Sequence, residues 1–99
     1  MLTLREEILG RLAENREALR RLGVRRLGLF GSAAREDGVR PRDLDFLVEL
    51  EPKTFDAYMD LKTFLEGLFG RPVDLVLTDA LKPALRKGIL EETVYAPGL

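Results

Sequence analysis

Three aspartates and a glycine–serine pair are the residues of this chain best suited to chemistry. Asp43 and Asp45 are separated by one residue, so on a β-strand both carboxylates point to the same face. The alternate positions of the same run are all apolar, namely Leu44, Phe46, Val48 and Leu50. A strand that buries one face and carries paired acids on the other is a candidate platform for a metal ion.

Asp74 is a third acid, in a second strand-like run over residues 73–77. If the two strands are neighbours in register, Asp43, Asp45 and Asp74 gather at one edge of the sheet. Ionised carboxylates at close range repel each other. Two divalent cations relieve that repulsion, and cations about 3.5–4 Å apart can clamp both ends of a phosphoryl displacement. The three aspartates are therefore the predicted metal ligands and catalytic residues.

The chain contains no cysteine and no histidine. This composition excludes disulfides, thiolate zinc sites, cysteine nucleophiles and imidazole general bases. A metal in this protein must therefore be a hard ion that prefers oxygen ligands, with Mg²⁺ or Mn²⁺ the natural choice.

The pair Gly31-Ser32 follows a short apolar run and predicts a phosphate-binding turn. A glycine lets backbone amides approach a phosphate closely, and the Ser32 hydroxyl can donate to a phosphate oxygen. The sequence around it is neither a P-loop nor a dinucleotide-binding fingerprint. Ser32 also suits the N-cap of a short helix. Arg35 either steers a triphosphate or solvates a helix face, and both interpretations stay open.

Length and composition limit the classes of protein. With 99 residues, 45% hydrophobic and 33% charged, we expect one folded domain over residues 1–99. The formal net charge of −1 supplies no basic field, so direct nucleic-acid binding is not indicated. The charged N-terminal residues do not resemble a signal peptide, and no apolar run reaches the ~20 residues that cross a bilayer. A cytoplasmic location without membrane contact is expected.

Periodicity predicts helices and strands in the order helix, strand, short helix, strand, helix, strand, helix. The predicted ranges are a helix over 4–22, a strand over 24–30, a short helix from 33 capped by Ser32, a turn at Asp37-Gly38 and a strand over 43–50. After these come a helix from a Thr54 cap to Gly70 with a buried stripe that begins at Phe55, a strand over 73–77 and a helix capped by Thr78 or Asp79. Residues 94–99 add an edge strand or simply pack down. The order indicates an α/β (α+β) domain with a small sheet and helices packed on it.

Phe30-Gly31-Ser32, Asp43-Leu44-Asp45 and Val73-Asp74-Leu75-Val76 together resemble the motifs of the DNA polymerase beta-type nucleotidyltransferase superfamily. The short length resembles its minimal nucleotidyltransferase (MNT) branch, and the resemblance covers nearly the whole chain. It implies a mixed sheet of the polymerase beta palm type. It also implies that Gly31 and Ser32 bind a nucleoside triphosphate, that Asp43 and Asp45 hold both metal ions, and that Asp74 completes one site and activates the acceptor hydroxyl. Many members have Ser or Thr where this chain has Arg42.

The resemblance also implies a partner. Minimal proteins of this branch commonly act as antitoxins beside a HEPN-domain toxin and transfer AMP from ATP to a tyrosine of that toxin. Two other functions stay open: a non-catalytic subunit that neutralises or completes a partner by binding, and a transferase for a small molecule. The second is the weaker, because enzymes of that type usually carry a further domain for the acceptor. The nucleotide, the acceptor and the oligomeric state are not decided by the sequence.

Overall fold

The structure is a computed structural model that describes residues 1–36 and 41–99. The turn predicted at Asp37-Gly38 lies outside these residues. The elements follow the predicted order, with the bounds α1 Leu4–Glu14, α2 Arg16–Arg21, β1 Val24–Phe30, α3 Ser32–Arg35, β2 Leu44–Leu50, α4 Phe55–Phe69, β3 Val73–Leu77, a 3₁₀ turn Thr78–Ala80, α5 Pro83–Glu92 and β4 Val94–Tyr95.

The first helical region is two helices, not the single helix predicted over residues 4–22. A capping box between Thr3 and Glu6 begins α1, as the sequence pattern indicates. The break is at Asn15, whose side-chain amide donates to the Arg11 carbonyl oxygen at 2.8 Å. Asparagine favours such local bonds over helix continuation, and Asn15 has non-helical backbone angles (φ −107°, ψ 18°).

The four strands form one sheet in the order β3-β2-β1-β4. Strands β1 and β2 are antiparallel, β2 and β3 are parallel, and β4 pairs antiparallel with β1. The predicted small mixed sheet with helices is therefore confirmed. Residues 94–99 supply the edge strand that was one of two expectations for the tail.

The core lies between the sheet and the long helices. The apolar row of β2 is fully buried, and Ile8 and Leu12 of α1 and Leu61 and Leu65 of α4 pack in the same cluster. Phe55 was predicted to begin the buried stripe of α4, but it is 77% exposed. The Thr54 hydroxyl accepts the Ala57 amide at 3.1 Å, so Thr54 is the N-cap and Phe55 lies in the first turn of α4.

The last helix begins later than predicted. Thr78 is the first residue of the 3₁₀ turn, and α5 begins at Pro83 with Lys82 in the N-cap position, so neither Thr78 nor Asp79 is its cap. Proline fits this place because the first turn of a helix leaves its amide unused. No helix in residues 1–36 and 41–99 has the length and apolar character needed to cross a membrane.

Candidate active site

Strand β2 places Asp45 at the centre of the candidate site. In the parallel β2–β3 pair Asp45 is the register partner of Asp74, and in the antiparallel β1–β2 pair it is the partner of Phe30. Register partners on strands about 4.8 Å apart carry their side chains on the same face. Asp43 is exposed in a bend just before β2 begins at Leu44. The expected neighbourhood of β2 and β3 thus brings Asp45 and Asp74 side by side.

The electrostatics of Asp45 reflect this crowding. Burial raises the pKa of the Asp45 carboxyl, and the nearby carboxylates of Asp74, Asp43 and Glu92 raise that pKa further, while the guanidinium of Arg35 opposes them. Each of these effects acts on the charged form of Asp45. Asp45 is therefore a partly buried acid with an excess of negative charge around it.

The acids have the chemistry of a site for a hard cation, although they do not form a closed cluster. Within residues 1–36 and 41–99, no three acidic side chains converge closely enough to enclose a single ion. The available donors are carboxylate oxygens, which are the ligands that Mg²⁺ and Mn²⁺ prefer.

Gly31 lies directly against the side chain of Asp45. It follows β1 and has φ 75° and ψ −159°, a conformation that is essentially restricted to glycine. A Cβ atom at this position would collide with Oδ2 of Asp45 and would lie 3.0 Å from its Cγ. The glycine of the predicted phosphate turn and the central acid of the predicted metal site are therefore in direct contact.

Ser32 and Arg35 begin and end the one-turn helix α3. Gly31 occupies the N-cap position, so the expectation that Ser32 is the N-cap is wrong. A residue in the first helical position already has helical backbone angles, whereas an N-cap residue does not. The Ser32 side chain is partly exposed beside the Gly31 turn. Arg35 lies near enough to the acids for its charge to lower the pKa of Asp45.

Glu92 belongs to this neighbourhood although the sequence did not indicate it. Its Oε1 accepts the Gly31 backbone N–H at 3.1 Å, and its Oε2 accepts from Nη1 of Arg35 at 3.0 Å. In the sequence Glu92 is one of several glutamates in a charged helix. No motif or periodicity distinguishes it from Glu91 as a candidate site residue. Only the pairing of β4 with β1 brings it to the turn.

Other charged residues near the acids have structural partners or lie exposed. Glu49 carries its carboxylate on the acid face of β2, and it pairs with Arg26 at 3.7 Å on the neighbouring strand. This agrees with a structural role for Glu49. Arg42 is exposed in the bend that also holds Asp43.

Comparison with known proteins agrees with this geometry. The model of the nucleotidyltransferase domain family matches residues 12–96. The chain is 41% identical over 97 residues to protein adenylyltransferase MntA of Thermococcus cleftensis, an alignment that covers 96% of this chain and 97% of the relative. The protein belongs to the nucleotidyltransferase family. The predicted enzyme class and the resemblance to minimal nucleotidyltransferases are thereby confirmed.

Solved structures share the fold. A protein assigned to the minimal nucleotidyltransferases superposes with a TM-score of 0.70 at 40% identity, over 87% of this chain and 93% of the other. A chain from the complex of a tri-AMPylated Shewanella oneidensis HEPN toxin with its MNT antitoxin superposes with a TM-score of 0.65 at 19% identity, over 93% of this chain and 73% of the other. At that identity the second likeness shows the fold alone.

Proposed function

We propose that this protein is a metal-dependent adenylyltransferase that transfers AMP from ATP to a hydroxyl group of a partner protein. The acceptor is a tyrosine of a HEPN-domain toxin, and the protein acts in the cytoplasm as the antitoxin. The observation that carries the proposal is the position of Asp45, which is beside Asp74 on β3 and against Gly31 at the end of β1. That arrangement puts an acid pair and a candidate phosphate turn within one site.

The proposed residue roles combine the family resemblance with the position of each residue. Asp43, Asp45 and Asp74 would hold Mg²⁺ or Mn²⁺, which when bound neutralises the phosphate charge that builds up during transfer. The Gly31 turn and the Ser32 hydroxyl would receive the triphosphate, and Arg35 would offset part of its charge.

The reaction is an in-line substitution at the α-phosphorus. The acceptor hydroxyl oxygen forms a bond to the α-phosphorus, the bond to the bridging oxygen breaks, and pyrophosphate leaves with that electron pair. The acceptor proton passes to the carboxylate of Asp74, which is exposed at the edge strand β3, where an acceptor side chain can reach it. Positioning and charge stabilisation supply most of the rate, so the absence of histidine from the sequence is no obstacle.

The relatives support the choice of nucleotide and partner. The relative from Thermococcus cleftensis is named a protein adenylyltransferase, and the Shewanella oneidensis complex joins an MNT antitoxin to an AMPylated HEPN toxin. The test is incubation of the purified protein with labelled ATP, Mg²⁺ and the protein encoded by the adjacent gene. Label on a tyrosine of the partner is the expected result.

The variant D43N/D45N separates transfer from mere occlusion. We expect it to leave the partner unlabelled and to lose protection of cells from the toxin while the complex still forms. Equal labelling by this variant would refute the assignment of the acids. Full protection without labelling would instead favour the non-catalytic binding subunit.

A further inference from the structure

Glu92 contacts both ends of the short helix α3. One carboxylate oxygen accepts the backbone N–H of Gly31, the residue before the helix, at 3.1 Å. The other accepts from the guanidinium of Arg35, the last residue of the helix, at 3.0 Å. A single carboxylate therefore bridges the whole segment to which we assign triphosphate binding.

The pairing of β4 with β1 explains why the Gly31 amide points to Glu92. Leu29 is the register partner of Val94, and the Ala96 amide donates to the Leu27 carbonyl at 2.8 Å. Continuing the same antiparallel register places Gly31 opposite Glu92, in a pair whose N–H points across the ladder. Because Glu92 is the last residue of α5, its side chain takes the place of the strand carbonyl that would otherwise accept this hydrogen bond.

The segment needs an external contact of this kind. A helix of four residues lies far below the length at which helices are stable alone. Its N-cap residue is a glycine, which has no side chain to bind the first free amides. Hydrogen bonds to a carboxylate are about twice as strong as neutral ones, so Glu92 is well suited to fix this backbone.

We propose that Glu92 is a positioning residue for nucleotide binding, acting through Gly31 and Arg35. Its carboxylate holds the Gly31-Ser32 backbone in the conformation that receives the phosphates, and it sets the direction of the Arg35 side chain. This inference rests on the proposed function, because it assigns Glu92 to the same phosphate turn. Alternatively, Glu92 competes with the phosphates for the Gly31 amide and the Arg35 guanidinium. In that case removal of Glu92 would raise the affinity for ATP, whereas loss of a positioning residue would lower it.

The experiment is calorimetric titration of the full chain with ATP and Mg²⁺. We expect E92A to bind about tenfold more weakly than the wild type, because it leaves the Gly31 backbone N–H without its carboxylate acceptor. E92Q should lose less affinity, since its amide oxygen can still accept from Gly31. E91A removes a neighbouring exposed glutamate of the same helix, and its affinity should equal that of the wild type.

The sign of the change decides between positioning and competition. Removing a negative charge beside a triphosphate favours binding by itself, so a loss of affinity in E92A points to lost positioning. Unchanged or tighter binding in E92A, with E91A as the reference, would overturn the proposal. If E92A does not fold, E92D decides the question, because it keeps the negative charge on a side chain one methylene shorter. Weaker binding in E92D supports positioning, and unchanged or tighter binding in E92D would overturn the proposal.

The amide spectrum of the ¹⁵N-labelled protein gives a readout that general destabilisation would not mimic. In the wild type without nucleotide, the Gly31 amide proton should resonate downfield because it is bonded to a carboxylate. E92A should move the amide signals of residues 31–35 and leave those of α4 in place, whereas E92Q should restore part of the Gly31 shift. An unmoved Gly31 signal would refute the contact. Failure of the wild type to bind ATP would instead refute the proposed function, and this inference with it.

Discussion

Asp45 packs directly against the backbone of Gly31, so closely that a Cβ atom at position 31 would lie 3.0 Å from Asp45 Cγ. The contact joins the two halves of the candidate site, the acids of β2 and β3 and the turn that follows β1. A glycine is required at this position for two independent reasons, the space that Asp45 occupies and the φ of 75°.

Replacement of Gly31 by alanine tests this contact. We expect G31A to lower the free energy of unfolding by about 1–3 kcal/mol, from backbone strain and displacement of Asp45, and to abolish ATP binding. Urea unfolding and calorimetry measure the two effects. Gly67 is the matched control, because it lies in α4 with open space around it. G67A should bind ATP normally and gain about 0.5–1 kcal/mol of stability; a G31A variant as stable as G67A would contradict the structure.

Replacement of Asp74 by asparagine should separate binding from transfer. Asp74 is exposed on the edge strand, where we assign it the acceptor proton. D74N should therefore reduce the rate of labelling of the partner by about 100- to 10,000-fold, the usual worth of a general base. ATP affinity should fall much less.

The control for this experiment is E49Q. Glu49 lies on the acid face of β2 but pairs with Arg26, away from the site. Its removal also deletes one carboxylate from the sheet, yet the labelling rate should stay that of the wild type. A comparable loss of transfer in E49Q and D74N would show that general charge, and not the position of Asp74, governs the rate.

The raised pKa of Asp45 predicts how stability depends on pH. Burial holds the pKa of Asp45 in the folded state above its ordinary value of 3.8, so the folded protein binds this proton more tightly than the unfolded chain. The contribution of Asp45 to stability is thus lost as the pH rises from the unfolded pKa through the higher folded pKa. D45N should melt a few degrees higher than the wild type at pH 7, and the difference should vanish below pH 3.8. Equal melting temperatures at pH 7 would argue against this burial of charge.

Divalent cations should offset the destabilisation that the charged Asp45 carboxylate causes at neutral pH. A cation that binds only the folded state stabilises it by mass action, and here it also relieves the repulsion around Asp45. Millimolar Mg²⁺ should raise the melting temperature of the wild type, and EDTA should remove the gain. D45N should respond weakly or not at all. Equal shifts in both proteins would place the bound cation elsewhere.

Much of this architecture follows from patterns that are local in the sequence. Three short apolar runs are bounded by turn residues, and the structure has a strand in each of them. These are the run before Gly31, the run after Asp43 and the run before Thr78. The neighbourhood of Asp45 and Asp74 required one further assumption, that their strands pair in register, and the parallel β2–β3 ladder bears it out.

The differences arise where local propensity competes with a specific contact. The helical periodicity of residues 4–22 continues through Asn15, but the Asn15 side chain binds the Arg11 carbonyl and breaks the helix. Ser32 has the residue type of an N-cap, yet the glycine before it takes that position. Glu92 was beyond prediction for a different reason, because its role depends on the β1–β4 pairing, a contact between distant parts of the chain.

The bond from Gly31 to Glu92 spans 61 positions of sequence. The contact therefore closes a loop of the chain that contains both acid strands, β2 and β3, and the helix α4 between them. Closing a loop of this length costs chain entropy, so the contact forms only when the C-terminal part of the chain pairs with β1. The order of the phosphate turn is thus tied to the folding of the opposite end of the chain.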